Sequence, residues 1–197
     1  VTYQWGLPFR AKEVLINPQT GQPDTTEFLP LGNTFPDVNL GLTNTFSFKG
    51  FTLYTLFDGQ FGGQIYNNTR QWPHREHNAW ETDQSGKPDN QKKPIDYYTR
   101  LYNVNANNSH FVEDGWFVKF RELQLRYAFD VRGSGVFGGL VKGIRLSVIG
   151  RNLYTWTDYS GYDPEVTLDV ASPVWKRYDA FDYPNFRTFT GSIELEF

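Results

Sequence analysis

The 197-residue sequence contains no cysteine and no methionine. Without thiols there is no disulfide framework, no thiolate metal site and no cysteine nucleophile. A chain that opens on valine and lacks methionine reads as part of a longer product, its targeting segment removed or upstream. A dominant charge is missing too: 19 Lys+Arg against 22 Asp+Glu leave −3, without the basic excess of a nucleic-acid footprint. The longest apolar runs are three residues, as at Val14-Leu15-Ile16 and Trp116-Phe117-Val118, where a spanning helix needs roughly 20. Against these absences, 18% of the residues are aromatic although the mean hydropathy is −0.56. Such a composition calls for a fold with two different kinds of surface.

Alternation at period two supplies them and predicts an all-β fold. From about Asp37 to Lys49, Val38, Leu40, Leu42, Phe46 and Phe48 fall on one face, opposite Asn39, Thr43, Thr45, Ser47 and Lys49. Lys49-Gly50 reads as a tight turn. A second strand then runs from Phe51 through Leu53, Phe57, Phe61 and Ile65 to Asn67. A third, about Gly115 to Phe129, changes parity between Phe120 and Leu123, which predicts a β-bulge near Arg121-Glu122. A fourth spans about Ile144 to Thr157, with Asn152 falling on the oily side where the pattern has no place for it. The last ends at the terminus with Phe189, Ile193, Leu195 and Phe197 on one side. Residues 1–36, 67–110 and 158–182 read as long loops, with at most one short strand at Val1–Trp5, and the glycine-rich segment 130–143 as a shorter turn.

Strand length and loop asymmetry then separate two kinds of alternating sheet. Soluble strands typically run about 5–6 residues, whereas these read as about 13–16, enough for the roughly 9–11 that a barrel strand places in lipid. Long and short connections alternate, as they do at opposite rims of an outer-membrane barrel. Lys49, Asp58, Lys119, Arg126, Arg145, Arg151, Glu194 and Glu196 all lie opposite the apolar face, where they would meet a wet lumen. The expected fold is therefore an antiparallel transmembrane β-barrel segment of about five or six long strands. It is part of a larger barrel, because the smallest barrels have about 8 strands. The competing architecture is a soluble antiparallel sheet.

Several segments in order carry a family resemblance. They are Leu31-Gly32-Asn33-Thr34-Phe35-Pro36, Lys49-Gly50-Phe51, Phe111-Val112-Glu113-Asp114-Gly115 with Val118-Lys119-Phe120-Arg121, and Gly150-Arg151-Asn152-Leu153-Tyr154-Thr155-Trp156-Thr157. Tyr159-Ser160-Gly161-Tyr162-Asp163-Pro164-Glu165 and the terminal strand to Phe197 complete the set. Together they resemble the C-terminal part of a SusC/RagA-like TonB-dependent outer-membrane transporter. The resemblance implies a 22-stranded barrel of which residues 1–197 are the C-terminal portion, the N-terminal plug being absent. It also implies import of oligosaccharides or peptides, energised by the TonB complex through that absent part, with a SusD-like surface lipoprotein over the pore and outer-membrane lipid around it. Phe189, Ile193, Leu195 and Phe197 resemble the signal read by barrel-assembly machinery. A passive porin and a soluble carbohydrate-binding β-domain are the rival functions.

Candidate chemistry is sparse, and neither catalysis nor a cofactor is expected. His74-Arg75-Glu76-His77 groups two imidazoles and a carboxylate, but in a different order from the helical His-Glu-x-x-His zinc motif and with no helical frame predicted, so no metal is expected there. Asp163-Pro164-Glu165 offers two carboxylates in a turn-prone segment, which suits loop ordering better than glycosidase chemistry. No Gly-x-Ser-x-Gly elbow or phosphate loop occurs. The loop aromatics Trp72, Trp80, Tyr98, Tyr159 and Trp175 are the substrate-binding candidates, since ring faces offer amphipathic contact to a sugar or peptide. Their alternative role is packing on one another or on the lipoprotein.

Overall fold

A computed structural model describes residues 29–92, 109–132, 140–167 and 176–197, with the short pieces 10–11, 15–16 and 23–24. The predicted strand at Val1–Trp5 and the glycines at 133–139 lie outside these residues. Two compact units emerge, one built from Val38–Gln60, Phe117–Thr157 and Asn185–Phe197, the other from Val1–Asp37, Phe61–Trp116 and Asp158–Pro184. Four two-residue strands open the chain: β1 (Arg10–Ala11) pairs antiparallel with β4 (Leu29–Pro30), and β2 (Leu15–Ile16) with β3 (Pro23–Asp24).

The first unit is one five-stranded sheet. Its strands are β5 (Val38–Phe48), β6 (Phe51–Phe61, whose last residue is counted with the other unit), β9 (Phe117–Asp130), β10 (Gly143–Trp156) and β12 (Thr188–Glu196), in the order β12-β10-β9-β6-β5. Lys49 and Gly50, both at positive φ (45° and 87°), form the two-residue turn between β5 and β6. Such a primed turn matches the twist of the strands it joins.

Register carries the alternation across the sheet. Leu53, Leu125 and Val148 stand side by side, as do Phe51, Tyr127, Leu146 and Ile193, and then Phe129, Ile144 and Leu195. Phe57 stacks on Phe120, ring centroids 4.5 Å apart and planes within 7°. On the other face Thr52, Arg126, Ser147 and Ser192 align. There, Arg151 Nε donates to Glu122 Oε2 at 2.7 Å, Arg121 Nη2 to Asp58 Oδ2 at 2.6 Å, and Arg145 Nη2 to Glu196 Oε2 at 3.1 Å. Opposite charges on neighbouring strands each contribute roughly 0.2–1 kcal/mol, so these pairs order the polar face more than they hold the sheet together. Much of the apolar face is bare: Leu53 is 36% and Ile193 72% exposed, and Leu40, Phe46, Leu125 and Leu195 are exposed as well, while Phe57, Phe120, Tyr127 and Ile144 are half-buried.

The predicted bulge is where the parity change put it. Leu56 opposes Glu122 and Phe57 opposes Phe120, leaving Arg121 as the extra residue facing β6. Facing β10 the surplus reverses: Arg151 opposes Glu122 and Tyr154 opposes Phe120, so Asn152 and Leu153 share the space of Arg121. Asn152 sits there at φ 52°, and its Nδ2 donates to the Phe186 carbonyl at 3.0 Å. Asparagine tolerates left-handed backbone better than most residues, which accounts for its place on the oily side.

Two sequence expectations need correction. β5, β6 and β12 span 11, 11 and 9 residues, shorter than the pattern suggested, while β9 and β10 reach the expected length at 14 each. And the second strand does not reach Asn67: Gly62 and Gly63, at φ 76° and 73°, break it after Phe61, and β7 (Gln64–Asn67) starts a different sheet. Alternation survives such a break because the two glycines advance the count by an even number.

The second unit centres on β7, flanked by β8 (Val112–Asp114) antiparallel and β11 (Tyr178–Asp179) parallel. Successive residues of β7 point to opposite sides: Tyr66 packs with Phe111, Ile65 with Tyr159 and Val166. Segment 67–110, predicted as structureless, begins with helix α1 (Asn68–Arg75) and includes 3-10 turns at Trp80–Thr82 and Asp89–Gln91, with another at Ser109–Phe111. Asn67 caps α1 by accepting from the Arg70 backbone N–H at 2.8 Å. The helix ends in a Schellman arrangement: Asn78 N–H donates to Pro73 O at 2.9 Å and His77 N–H to His74 O at 3.4 Å, with His77 at φ 55°.

A Cβ at Gly63 would stand 2.9 Å from the Phe35 carbonyl oxygen, at a φ that side chains resist, whereas one at Gly41 meets nothing within 4 Å. Gly63→Ala is expected to lower the urea midpoint by an amount equivalent to about 1–3 kcal/mol, while Gly41→Ala leaves it unchanged or slightly raised.

Candidate functional site

The second unit holds an open cavity of about 630 Å³. Its polar wall is organised by Glu113 on β8. Oε1 accepts from Asn67 Nδ2 (3.1 Å), Arg70 Nη1 (3.0 Å) and Ser160 Oγ (2.9 Å), and Oε2 accepts from the Ser160 backbone N–H (2.8 Å). One carboxylate thus joins the cap of α1, its first turn and the segment after β10. Arg70 also donates through Nε to Glu81 Oε1 at 2.7 Å. Asp114 and Asp158 add two more carboxylates to the lining, and Asp158 Oδ2 accepts from Trp116 Nε1 at 2.9 Å. Trp80 and Tyr162, 85% and 81% exposed, also line the cavity.

Protonation follows from this packing. Burial alone would lower the Arg70 pKa, but hydrogen bonds to Glu81 and Glu113 outweigh it and hold the guanidinium above its usual value. Burial likewise pushes Glu81 up, yet Arg70, with His74 assisting, holds its carboxyl below the usual carboxylate range. Burial and the neighbouring Arg70 charge lower the His110 pKa. Arg70 and Glu81 are therefore both held in their charged forms at neutral pH.

Behind the wall lies a buried polar relay. Tyr159 is 5% exposed and its hydroxyl donates to Asp179 Oδ2 at 2.5 Å. Thr69 Oγ1 donates to Asp179 Oδ1 at 2.5 Å and accepts from the Phe181 backbone N–H at 2.7 Å. Burial, then Asp179, drive the Tyr159 phenol far above its ordinary pKa. Burial and Asp179 raise Asp182 as well. Close by, Arg177 Nη1 donates to the carbonyls of Gly115 (2.7 Å) and Pro164 (3.0 Å).

Among the substrate-binding candidates, the structure brings Trp80 to the cavity and places Trp72 on α1, half-exposed, with its ring edge-on to Phe181 at 5.9 Å. Tyr159 faces inward to Asp179, so its part is in the packing behind the wall. Tyr98 and Trp175 lie outside the described residues. Asp163 Oδ1 accepts from the Glu165 backbone N–H at 3.0 Å and orders its own turn. Phe189, Ile193 and Leu195 are exposed along β12, and Phe197 is exposed just beyond it.

Contrary to expectation, His74 does have a helical frame, in the last turn of α1. His77 is the left-handed residue that closes that helix. His74 instead meets Glu81 and His110, Nε2 to Glu81 Oε2 being 3.1 Å for His74 and 3.8 Å for His110. Neither the meeting of His74 with Glu81 and His110 nor the set of partners around Glu113 had a sequence signal, because the partners are 7 to 47 positions apart.

No protein-family model matches the chain. Over 185 residues it is 28% identical to TonB-dependent receptor P3 of Formosa agariphila, covering 90% of this chain and 18% of that protein. TonB-dependent receptor P39 of the same organism is 27% identical over 180 residues, 85% of this chain and 17% of that one. The fold matches the RagAB peptide importer in its "open-open" state with a TM-score of 0.61 at 18% identity, over 100% of this chain and 22% of the importer chain. The chain resembles a section of the SusC/RagA-like TonB-dependent transporters. The "closed-closed" RagAB structure gives the same TM-score, 0.61, over 98% of the chain. The unclosed antiparallel sheet is accordingly that of a partial barrel, and the chain spans about a fifth of the length of these relatives.

Above about pH 10 the unfolded phenol ionises while buried Tyr159 keeps its proton. Its raised pKa thus makes stability decline as pH rises beyond that point. Tyr159→Phe is expected to flatten this alkaline decline in the urea midpoint, and to cost about 1 kcal/mol at pH 7 from the lost hydrogen bond.

Proposed function

We propose that this chain is the C-terminal barrel portion of an outer-membrane, TonB-dependent active importer of oligosaccharides or peptides that works with a SusD-like lipoprotein. The observation that carries the reading is the two-faced five-stranded sheet. Its apolar face is largely exposed, its opposite face is lined by ion pairs, and its path follows that of a section of RagAB. Acyl chains suit the first face and a watery lumen the second: a Lys or Arg at the lipid midplane costs about 2–4 kcal/mol. Relatives carrying the name TonB-dependent receptor support energised import over passive diffusion.

The second unit would be the surface loops, its cavity the place where this part of the barrel meets cargo. Exposed faces at Trp80 and Tyr162 beside carboxylates give a sugar or peptide both stacking surface and hydrogen-bond acceptors. RagAB is a peptide importer by name, which favours peptides among the two cargo classes. Trp72, Tyr98 and Trp175 remain candidates for contact with cargo or lid. The terminal pattern of Phe189, Ile193, Leu195 and Phe197 would serve barrel assembly. No enzymatic role is proposed.

Transport by the intact protein is expected to stop when TonB is depleted, and the protein to co-purify with a lipoprotein; uptake that persists without TonB would favour a porin. Val148→Arg, on the apolar face, is expected to reduce the fraction of heat-modifiable, folded protein in outer membranes, whereas Thr190→Lys on the opposite face leaves it near wild type.

A further inference from the structure

From the cluster of His74, Glu81 and His110 we infer a site for one divalent transition-metal ion of the zinc type, a property that does not depend on the importer reading. The inference starts from hydrogen bonding. His74 Nδ1 lies 2.9 Å from the Arg70 carbonyl oxygen, which can only accept, so Nδ1 carries the ring hydrogen. In a neutral ring Nε2 then presents a lone pair, and 3.1 Å away it meets Glu81 Oε2, an ionised oxygen that also offers only lone pairs. Two acceptors at that distance require a positive species between them. A proton on Nε2 would satisfy this pair alone. The third donor distinguishes the cases: His110 Nε2 stands 3.8 Å from the same Glu81 oxygen, and all three donor atoms lie within 4.8 Å of one another.

Those separations suit a metal. Tetrahedral zinc with bonds of about 2.0–2.1 Å sets its donor atoms about 3.3 Å apart. The two measured edges bracket that value, and a small rotation of the half-exposed His110 ring closes the set. Supporting contacts orient the donors. The Arg70 carbonyl fixes the His74 tautomer, as the partners of metal-bound imidazoles commonly do, and Arg70 Nε holds Glu81 Oε1 at 2.7 Å, leaving Oε2 to face the rings. Glu113, 3.0 Å from Arg70 Nη1, balances the guanidinium charge that would otherwise repel a cation. Two imidazoles and one carboxylate favour zinc over magnesium or calcium. Three protein ligands leave a fourth position for water. A bound ion would pin the last turn of α1 to the 3-10 turn at Ser109–Phe111 and so tie together the two ends of the long connection.

The test uses the full-length protein in detergent, stripped with chelator and titrated with Zn²⁺, in parallel with His110→Ala and Glu81→Gln. His74→Ala is avoided because that ring is buried against Phe111. Wild type is expected to bind one equivalent more than either variant, or to bind it at least tenfold more tightly, with millimolar Mg²⁺ unable to compete. All three proteins should keep heat-modifiable migration. Zinc K-edge absorption of the loaded wild type should require two imidazoles in the first coordination shell. Equal stoichiometry and affinity in wild type and His110→Ala, or a spectrum fitted without imidazole, would overturn the assignment and leave a protonated His74 as the species facing Glu81.

Discussion

Side-chain alternation on the five-stranded sheet is the constraint on which the remaining structure depends. Because the side-chain period in a strand is two, every register choice commits a whole row to one face. Here the commitment agrees across four strands: Phe51, Tyr127, Leu146 and Ile193 on one side, Thr52, Arg126, Ser147 and Ser192 on the other. A face as wide and as apolar as the first is an aggregation hazard in water, one that the proposed place in an outer membrane would remove. The charged pairs opposite have the complementary requirement. On the proposed reading each surface has its own solvent, so one register serves both.

That same periodicity made the sheet legible from residue order. Strands β5, β6, β9, β10 and β12 were each signalled by alternating apolar residues, and the parity change after Phe120 announced the bulge before any coordinate did. Asn152 resisted the pattern because its reason is conformational: a left-handed residue was needed opposite Arg121, and periodicity is blind to φ. Gly62-Gly63 deceived the pattern in the opposite sense. Two residues of non-strand backbone preserve parity, so Ile65 looked like a continuation of β6 when it belongs to the core beneath Tyr159 and Val166.

The second unit was largely illegible, and the cause is physical. Its order comes from side chains that meet across large sequence separations, such as Glu113 with Asn67, Arg70 and Ser160. Helix α1 is eight residues long and interrupted by Pro73, too short to display an apolar stripe. It stands because Asn67 caps it and Tyr66 donates to Gln71 Oε1 at 2.5 Å, both one-off contacts without period. Composition correctly marked the region as rich in rings, but ring content does not tell Trp80, which faces solvent, from Tyr159, which faces Asp179.

The backbone bonds around the Gly62-Gly63 corner carry a consequence for how such chains diverge. Asp37 N–H donates to Phe61 O, Gln64 N–H to Asn33 O, and Gly115 N–H to Gly63 O, at 2.9, 2.7 and 3.0 Å. Three passes of the polypeptide are thereby fastened to one another by main-chain atoms, which are the same whatever residue supplies them. Sequence outside these fasteners can drift or lengthen while the points of departure stay fixed, so the side chains around the corner can change on a frame that need not be reinvented each time.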